Sequence, residues 1–242
     1  MPTKATIKLI KQLQQKKYRK KQGLFVVEGR KSIIEFLKNG FIPVHFYITE
    51  AFQSEFPSAD IITEKGMKQI SGLTTPPNIL AVFQQPQNTV PNSLDQICFA
   101  LDGVQDPGNL GTIIRLADWF GLKDIFCSEN TVDLYNPKVV QASMGSLSRV
   151  RAHYLNLGEL INTIDVPVIG TFMEGENIYQ TQFPSSGLLV MGNEANGISK
   201  EIAQLCTQKV SIPQNGNNTE SLNVAIASSI IIGEVYSKKF KS

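Results

Sequence analysis

Apolar positions along this chain repeat with two periods, one suited to strands and one to helices. FVVEG, beginning at Phe25, and FYIT, beginning at Phe46, are short runs rich in β-branched and aromatic residues, with helical spacing over Ser32–Lys38 between them. Asp60–Ile62 adds a short strand and ILAVFQQ (Ile79–Gln85) a longer one, before the Pro/Asn-rich PQNTVPNS breaks the pattern. A linker at about residues 86–94 follows from that break, dividing the chain into domains 1–92 and 93–242. In the second half, strands are predicted at Ile97–Leu101, Asp124–Cys127, Val166–Thr171, Leu188–Met191 and Lys209–Ile212. Helices are predicted at Leu110–Phe120, Pro137–Leu147, Gly158–Ile164, Lys200–Cys206 and Ser221–Lys238. Apolar strands alternating with helices predict an α/β domain whose parallel sheet is covered on both faces.

Charge separates the two halves. Residues 1–92 carry 13 Lys/Arg against 6 Asp/Glu, whereas residues 93–242 carry 10 against 15. The first half therefore suits a polyanionic partner. Its first 21 residues hold eight basic side chains and no acidic one, and Ile7, Ile10 and Leu13 recur at helical spacing. The expectation is one basic helix with an apolar edge. Lys16, Lys17, Arg19 and Lys20, with Arg30 beyond them, are the candidates for gripping the phosphates of such a partner; a merely solvated helix accounts equally well for the spacing alone. No apolar run approaches the roughly 20 residues that span a bilayer, and no apolar signal core follows the N-terminus. The expectation is a cytoplasmic protein with no membrane partner. Cys98, Cys127 and Cys206 are scattered without ligand spacing, so neither a disulfide framework nor a metal site is expected. His45 and His153 are the only histidines, which leaves little room for a histidine base.

Two punctuated segments stand out near the end, LLVMGNEANGIS (Leu188–Ser199) and SIPQNGNNTESLNVAIASSIIIGEVY (Ser211–Tyr236). Each is an apolar strand that runs into a Gly/Asn-rich loop and then a helix, and loops beyond the carboxyl ends of parallel strands form ligand crevices. Neither GxGxxG nor a P-loop is present. After the first strand of the second half comes LDGVQDPGNLGTIIRLADWFG (Leu101–Gly121), in which Asp106-Pro107-Gly108-Asn109 is turn chemistry. There Asn109 can cap the helix that carries Arg115.

The segments NLGTIIRLADWFG, LLVMGNEANGIS and IPQNGNNTESLNVAIASSI, in this order and spacing, resemble the three signature motifs of the SpoU (TrmH-type) branch of the SPOUT RNA methyltransferases. The first half, notably KKYRKKQGLFVVEGRKSI, resembles the L30e-like RNA-recognition domain that precedes the catalytic domain in many members. The resemblance implies a smaller L30e-like α/β domain followed by a SPOUT α/β domain with a deep trefoil knot. It further implies S-adenosylmethionine as methyl donor, a ribose 2′-hydroxyl in RNA as acceptor, and a homodimer formed through the knotted domain.

Carried over residue by residue, the resemblance places Gly192, Ile212 and Leu222 around the donor, with Thr171 and Met191 at strand ends as further walls. It places Arg115, Asn109, Glu194, Ser221 and Asn223 in the catalytic pocket. In the family the arginine is assigned to activating the hydroxyl; a guanidinium stays protonated at ordinary pH, so a role in holding phosphate and stabilising the developing alkoxide is the more conservative one. Glu194 can pair with Arg115, from the same or the other subunit, or cap the helix near Ser199; Ser221 and Asn223 open the last helix, where serine is a natural cap. Two departures from the family pattern are Gln141, where an arginine is expected, and a third-motif loop NGNNTES about one residue longer than usual.

The favoured function is an S-adenosylmethionine-dependent 2′-O-ribose methyltransferase acting on structured RNA, ribosomal rather than transfer RNA. The alternatives are a tRNA 2′-O-methyltransferase, a non-catalytic RNA-binding or ribosome-assembly protein that keeps the fold, and a nucleotide-binding protein unrelated to RNA. Intact Asn109, Arg115, Glu194, Ser221 and Asn223 argue against the second, and the charge asymmetry against the last.

Overall fold

The computed structural model describes residues 2–216 and 221–237. In chain order the helices are α1 (Lys4–Gln12), α2 (Lys16–Gln22), α3 (Arg30–Lys38), α4 (Glu64–Ile70), α5 (Pro107–Trp119), α6 (Pro137–Ala142), α7 (Leu157–Thr163), α8 (Lys200–Leu205) and α9 (Val224–Ser237). The strands are β1 (Leu24–Glu28), β2 (Pro43–Ile48), β3 (Asp60–Ile61), β4 (Ile79–Gln84), β5 (Ile97–Leu101), β6 (Asp124–Cys127), β7 (Arg151–Tyr154), β8 (Val168–Asn177), β9 (Gly187–Met191) and β10 (Gln208–Ser211).

One compact unit comprises the chain up to Gln87 together with Asp133–Arg149. Its four-stranded sheet runs β1-β4-β2-β3, antiparallel except for β2 and β3. On one face Phe25, Phe36 and Phe83 pack together with ring centroids 5.3–5.9 Å apart, tying α3 to the sheet. Ile10, Leu13, Val26, Tyr47, Met67, Ile70 and Leu80 form another buried cluster, which draws in α1 and α4. The single basic helix expected at the N-terminus is two. Leu13 closes α1, Gln15 is extended, and α2 ends on Gly23, whose left-handed φ of 62° lets its N–H reach the Arg19 carbonyl at 2.8 Å. The single division expected at 92/93 is replaced by a returning segment. Asp133 pairs with the buried Arg19, and α6 packs on β1, so Asp133–Arg149 groups with the first unit.

The other unit comprises Asn88–Val132 and the chain from Val150 onward. Its six strands are all parallel, in the order β10-β8-β9-β5-β6-β7. β5, β6 and β9 are buried along their whole length, as central strands covered on both faces must be, which explains their apolar runs, broken only by Asp124 at the start of β6. β7 had no counterpart among the predicted strands, because RAHY has no apolar run and forms an edge. Its Arg151 holds Asp124 by two hydrogen bonds of 2.6 and 2.8 Å, and His153 Nε2 lies 2.7 Å from the same carboxylate.

From β5 the chain steps outward to β6 and β7, then returns to build β8, β9 and β10 on the other side. Strand order therefore reverses between β5 and β9, where Leu101 pairs with Met191. The loops leaving these two strand ends face the crevice in which open α/β sheets bind ligands.

Candidate functional site

The crevice at the strand ends opens into a cavity of about 690 Å³, within the range of small-molecule sites. Four stretches wall it: Thr171–Met173 within β8, Met191–Ile198 at the end of and after β9, Val210 and Ile212–Gln214 with Gly216 along and after β10, and Ser221, Leu222 and Val224 leading into α9. All five residues expected on the donor side, Thr171, Met191, Gly192, Ile212 and Leu222, line this one cavity, as do Glu194 and Ser221. Asn193, Asn196 and Gln214 add amides, and Ile198, Val210 and Val224 add apolar wall.

Two backbone features shape the cavity. First, a Cβ on Gly192 would lie 2.2 Å from the Gly197 carbonyl carbon and 2.3 Å from Ile198 N, so the 193–198 loop folds directly over a position only glycine can fill. Asn193 braces that loop: its Oδ1 accepts from Ala195 N and Asn196 N, and its Nδ2 donates to Gly103 O at 2.7 Å. Second, β8 and β10 slip register. Lys209 pairs with Gly170, but the next residue, Val210, pairs with Glu176. The stretch between bulges away from the ladder and brings Phe172 and Met173 to the cavity. Neither residue was a candidate from sequence, since an apolar run carries no sign of a bulge.

Glu194 sits at the junction of the β5 and β9 loops. Its carboxylate accepts from Gln105 N at 3.2 Å, Asp106 N at 3.1 Å and Asn109 Nδ2 at 2.9 Å. Partial burial on its own would raise the carboxyl, but the hydrogen bonds from Asn109 and from the backbone N–H groups of Glu194, Gln105 and Asp106 outweigh it and hold Glu194 below the usual carboxylate range. Asn109 is oriented at both ends, donating to Glu194 and accepting from Asn223 Nδ2 at 2.9 Å. Asn223 in turn accepts from Ala225 N and Ile226 N, capping α9. One polar chain thus fastens the beginning of α9 to the beginning of α5.

These interactions correct several expectations. The cap of α5 is Asp106, whose Oδ1 accepts from Asn109 N at 2.8 Å, and not Asn109. Asn223 caps α9, leaving Ser221 on the cavity wall. Glu194 caps neither α8, which Ser199 serves, nor pairs with Arg115 of its own chain. Arg115 is exposed on α5 in one stripe with Thr112 and Trp119, and it is not among the residues that line the cavity. Asp102, absent from the sequence candidates, accepts from Ser199 N at 2.7 Å and so fixes the far end of the 193–198 loop. The longer third-motif loop falls largely on residues 217–220, outside the described residues.

Among the phosphate-gripping candidates in the first unit, Lys16, Lys17 and Lys20 are exposed. Arg19 is not available for that role. It is 3% exposed, donates to Asp133 through Nε and Nη2 at 2.8 and 2.5 Å, and donates to Leu13 O at 2.7 Å. Arg30 is exposed but bound by Glu55 at 2.6 and 2.8 Å. Both corrections have one cause: a carboxylate distant in sequence neutralises the guanidinium. Gln141, at the position where an arginine was expected, is exposed on α6.

An all-parallel sheet with a glycine-shaped cavity at its order reversal has the form of a site for a small polar molecule, and two family models match the chain. The SpoU rRNA Methylase family matches residues 96–233, and the MRM3-like substrate binding domain matches residues 4–81. The 23S rRNA (guanosine(2553)-2′-O)-methyltransferase RlmP of Bacillus subtilis is 30% identical over 234 residues, which is 92% of each chain. A TrmH-family protein from Porphyromonas gingivalis superposes with a TM-score of 0.89 at 36% identity, over 98% of this chain and 99% of that one. The AdoMet-bound rRNA methyltransferase of Sinorhizobium meliloti does so at 0.85 and 28%, over 98% and 97%. The chain belongs to the SpoU rRNA methylase family.

Proposed function

We propose that this chain transfers the methyl group of S-adenosylmethionine to a ribose 2′-hydroxyl of ribosomal RNA. The observation that carries the reading is the single cavity onto which Thr171, Met191, Gly192, Ile212 and Leu222 converge. Its composition suits the donor: apolar walls for an adenine ring, and amides, hydroxyls and loop backbone for the ribose and amino-acid ends. When bound, S-adenosylmethionine would supply a methyl carbon made electrophilic by its sulfonium, so that the ribose oxygen gains the carbon, the sulfur keeps the bonding pair, and the hydroxyl proton passes to solvent water.

The protein's share is orientation and charge. Glu194, ionised and fully engaged by N–H donors, is a strut rather than a base, and keeps the β5 and β9 loops in register. Asn109 and Asn223 hold the start of α9, and with it Ser221 and Leu222, against those loops. Arg115 holds the neighbouring phosphate and stabilises the alkoxide as it develops, without giving up its own proton.

Arg115 meets a cavity in a homodimer. It shares the exposed stripe of α5 with Trp119, which is 84% exposed, and α9 packs beside α5 with Ile226 and Leu222 52% and 47% exposed. α9 is apolar on nearly every face, with Glu234 its one charged residue, and a helix of that kind needs cover on more than one side. A second copy laid on this surface brings Arg115 to the partner's cavity. The reading includes a threaded carboxyl tail: β10 is an edge strand, α9 returns to α5, and the cavity takes walls from both the β9 loop and the tail. Among the described residues no helix is long and apolar enough to cross a membrane, and the protein acts in the cytoplasm, on RNA held by the first unit through Lys16, Lys17 and Lys20. Mapping 2′-O-methyl marks across total RNA from a strain lacking the gene tests this. One ribosomal mark should vanish and return with the wild-type gene; an unchanged map would refute it.

A further inference from the structure

We propose that the first compact unit carries a second pocket, built wholly from its own residues, which takes the base of an RNA nucleotide and favours guanine. The cavity is about 360 Å³, room for a base and part of its sugar. Val26 and Val140 give it apolar wall, Glu28 and Gln14 give it hydrogen-bonding groups, and the exposed Lys138 and Gln141 stand one turn apart on α6. Apolar wall beside a mixed polar edge, with an ammonium at hand for phosphate, matches an unstacked base read along its Watson–Crick edge.

Glu28 decides which base. Its Oε2 accepts from the Ser71 hydroxyl at 2.5 Å and its Oε1 from Gly72 N at 2.9 Å. These bonds fix the carboxylate plane and leave each oxygen a free lone pair. Guanine presents N1–H and N2–H side by side, two parallel donors for two acceptors. Adenine and cytosine present a donor beside an acceptor, and uracil one donor between two acceptors, so each sets an oxygen against an oxygen or a ring nitrogen. Guanine O6, next to N1, then needs a donor. Gln14 lines the same cavity, and its Nε2 is buried with no hydrogen-bond partner; a turn of the amide toward the cavity brings it to a ligand carbonyl and relieves that cost. Lys138, a point charge, adds affinity for any nucleotide without choosing among them.

The pocket rests on the RNA-methyltransferase reading only for the identity of the macromolecule, and its test separates the two. Saturation-transfer NMR on the full chain, with saturating S-adenosylmethionine filling the other cavity, measures GMP, AMP, CMP and UMP. GMP should bind at least about fivefold more tightly than the others, the low end for one bidentate contact. Glu28→Gln and Gln14→Met should each erase that preference, and Lys138→Ala should weaken all four alike. Because Glu28→Gln also loosens the turn at Ser71 and Gly72, Gln14→Met is the sharper variant. It removes an unpaired donor, so its melting temperature should hold or rise while GMP binding falls. Equal binding of all four nucleotides, no binding, or GMP binding untouched by Gln14→Met would overturn the pocket. Calorimetry with S-adenosylmethionine on the same samples reads the other site: donor binding without nucleotide binding overturns this pocket alone, and GMP binding without donor binding upholds the pocket and overturns methyl transfer.

Discussion

Replacing Gly192 by alanine adds one methyl group at the point where the cavity wall is tightest. The new Cβ would meet the Gly197 carbonyl carbon at 2.2 Å, Ile198 N at 2.3 Å and the Gly197 oxygen at 2.6 Å. These atoms are backbone, and the loop they belong to is pinned by Asn193 to Gly103 and by Ser199 N to Asp102. A side chain could swing aside; this loop has to break a pin or carry strain. Overpacking of this kind costs about 2–3 kcal/mol, the upper part of the usual range, because main chain must move. For a chain of this size that lowers the melting temperature by about 4–12 °C. The displaced loop also withdraws its backbone groups from the donor. At about 1 kcal/mol for each hydrogen bond removed, the absence of two or three weakens donor binding by about 30- to 150-fold. Thermal melts followed by calorimetric titration with S-adenosylmethionine measure both effects. A Gly192→Ala protein that melts with wild type and keeps its donor affinity would refute the assignment of this loop to the donor.

Other perturbations separate the remaining roles. Glu194→Gln loses the charge that gathers the N–H donors of Asn109 and the neighbouring backbone, and the variant should melt below wild type at neutral pH. Because the folded carboxyl lies below its unfolded value, its contribution is complete above the ordinary glutamate range of about 4.3 and fades as pH falls through the folded value. The two melting curves should therefore converge in acid; a constant gap down to strongly acidic pH would contradict the role given to Glu194. Substituting Lys16, Lys17 and Lys20 by glutamine should flatten the salt dependence of RNA binding, by about 0.9 in slope for each duplex phosphate no longer neutralised, and leave the melting temperature unchanged. Arg19→Ala should instead destabilise the fold by about 3 kcal/mol, since it strands Asp133; an Arg19→Ala protein as stable as wild type would show the buried pair to be dispensable. Trp119→Glu should convert a dimer to a monomer in light scattering with its circular dichroism intact, and a dimer that persists would remove α5 from the interface.

The central strands were legible because burial on both faces leaves only apolar residues, as in ICFAL and GLLVM. β7 was not, because an edge strand can carry Arg151 and a histidine satisfied by Asp124. Motif residues that shape backbone, Gly192 above all, could be read in place, since the constraint acts over a few residues. The side-chain roles were harder. Arg19 is one of eight basic residues in its segment, and its burial depends on Asp133, 114 positions away. Glu194 chose the loop from Gln105 to Asn109 as its partner, a pairing 85–89 residues apart that local spacing does not encode. The cap of α5 moved three residues, from Asn109 to Asp106, because Pro107 prefers the first helical position and freed Asn109 to bridge two loops.

The most direct measurement supplies S-adenosylmethionine labelled on its methyl carbon to the purified protein with ribosomal RNA that lacks the mark, then digests the RNA to nucleosides. The account predicts label in a single 2′-O-methyl nucleoside with wild type, and none with Arg115→Ala although that variant still binds the donor. Label on a base, or undiminished transfer by Arg115→Ala, would contradict it.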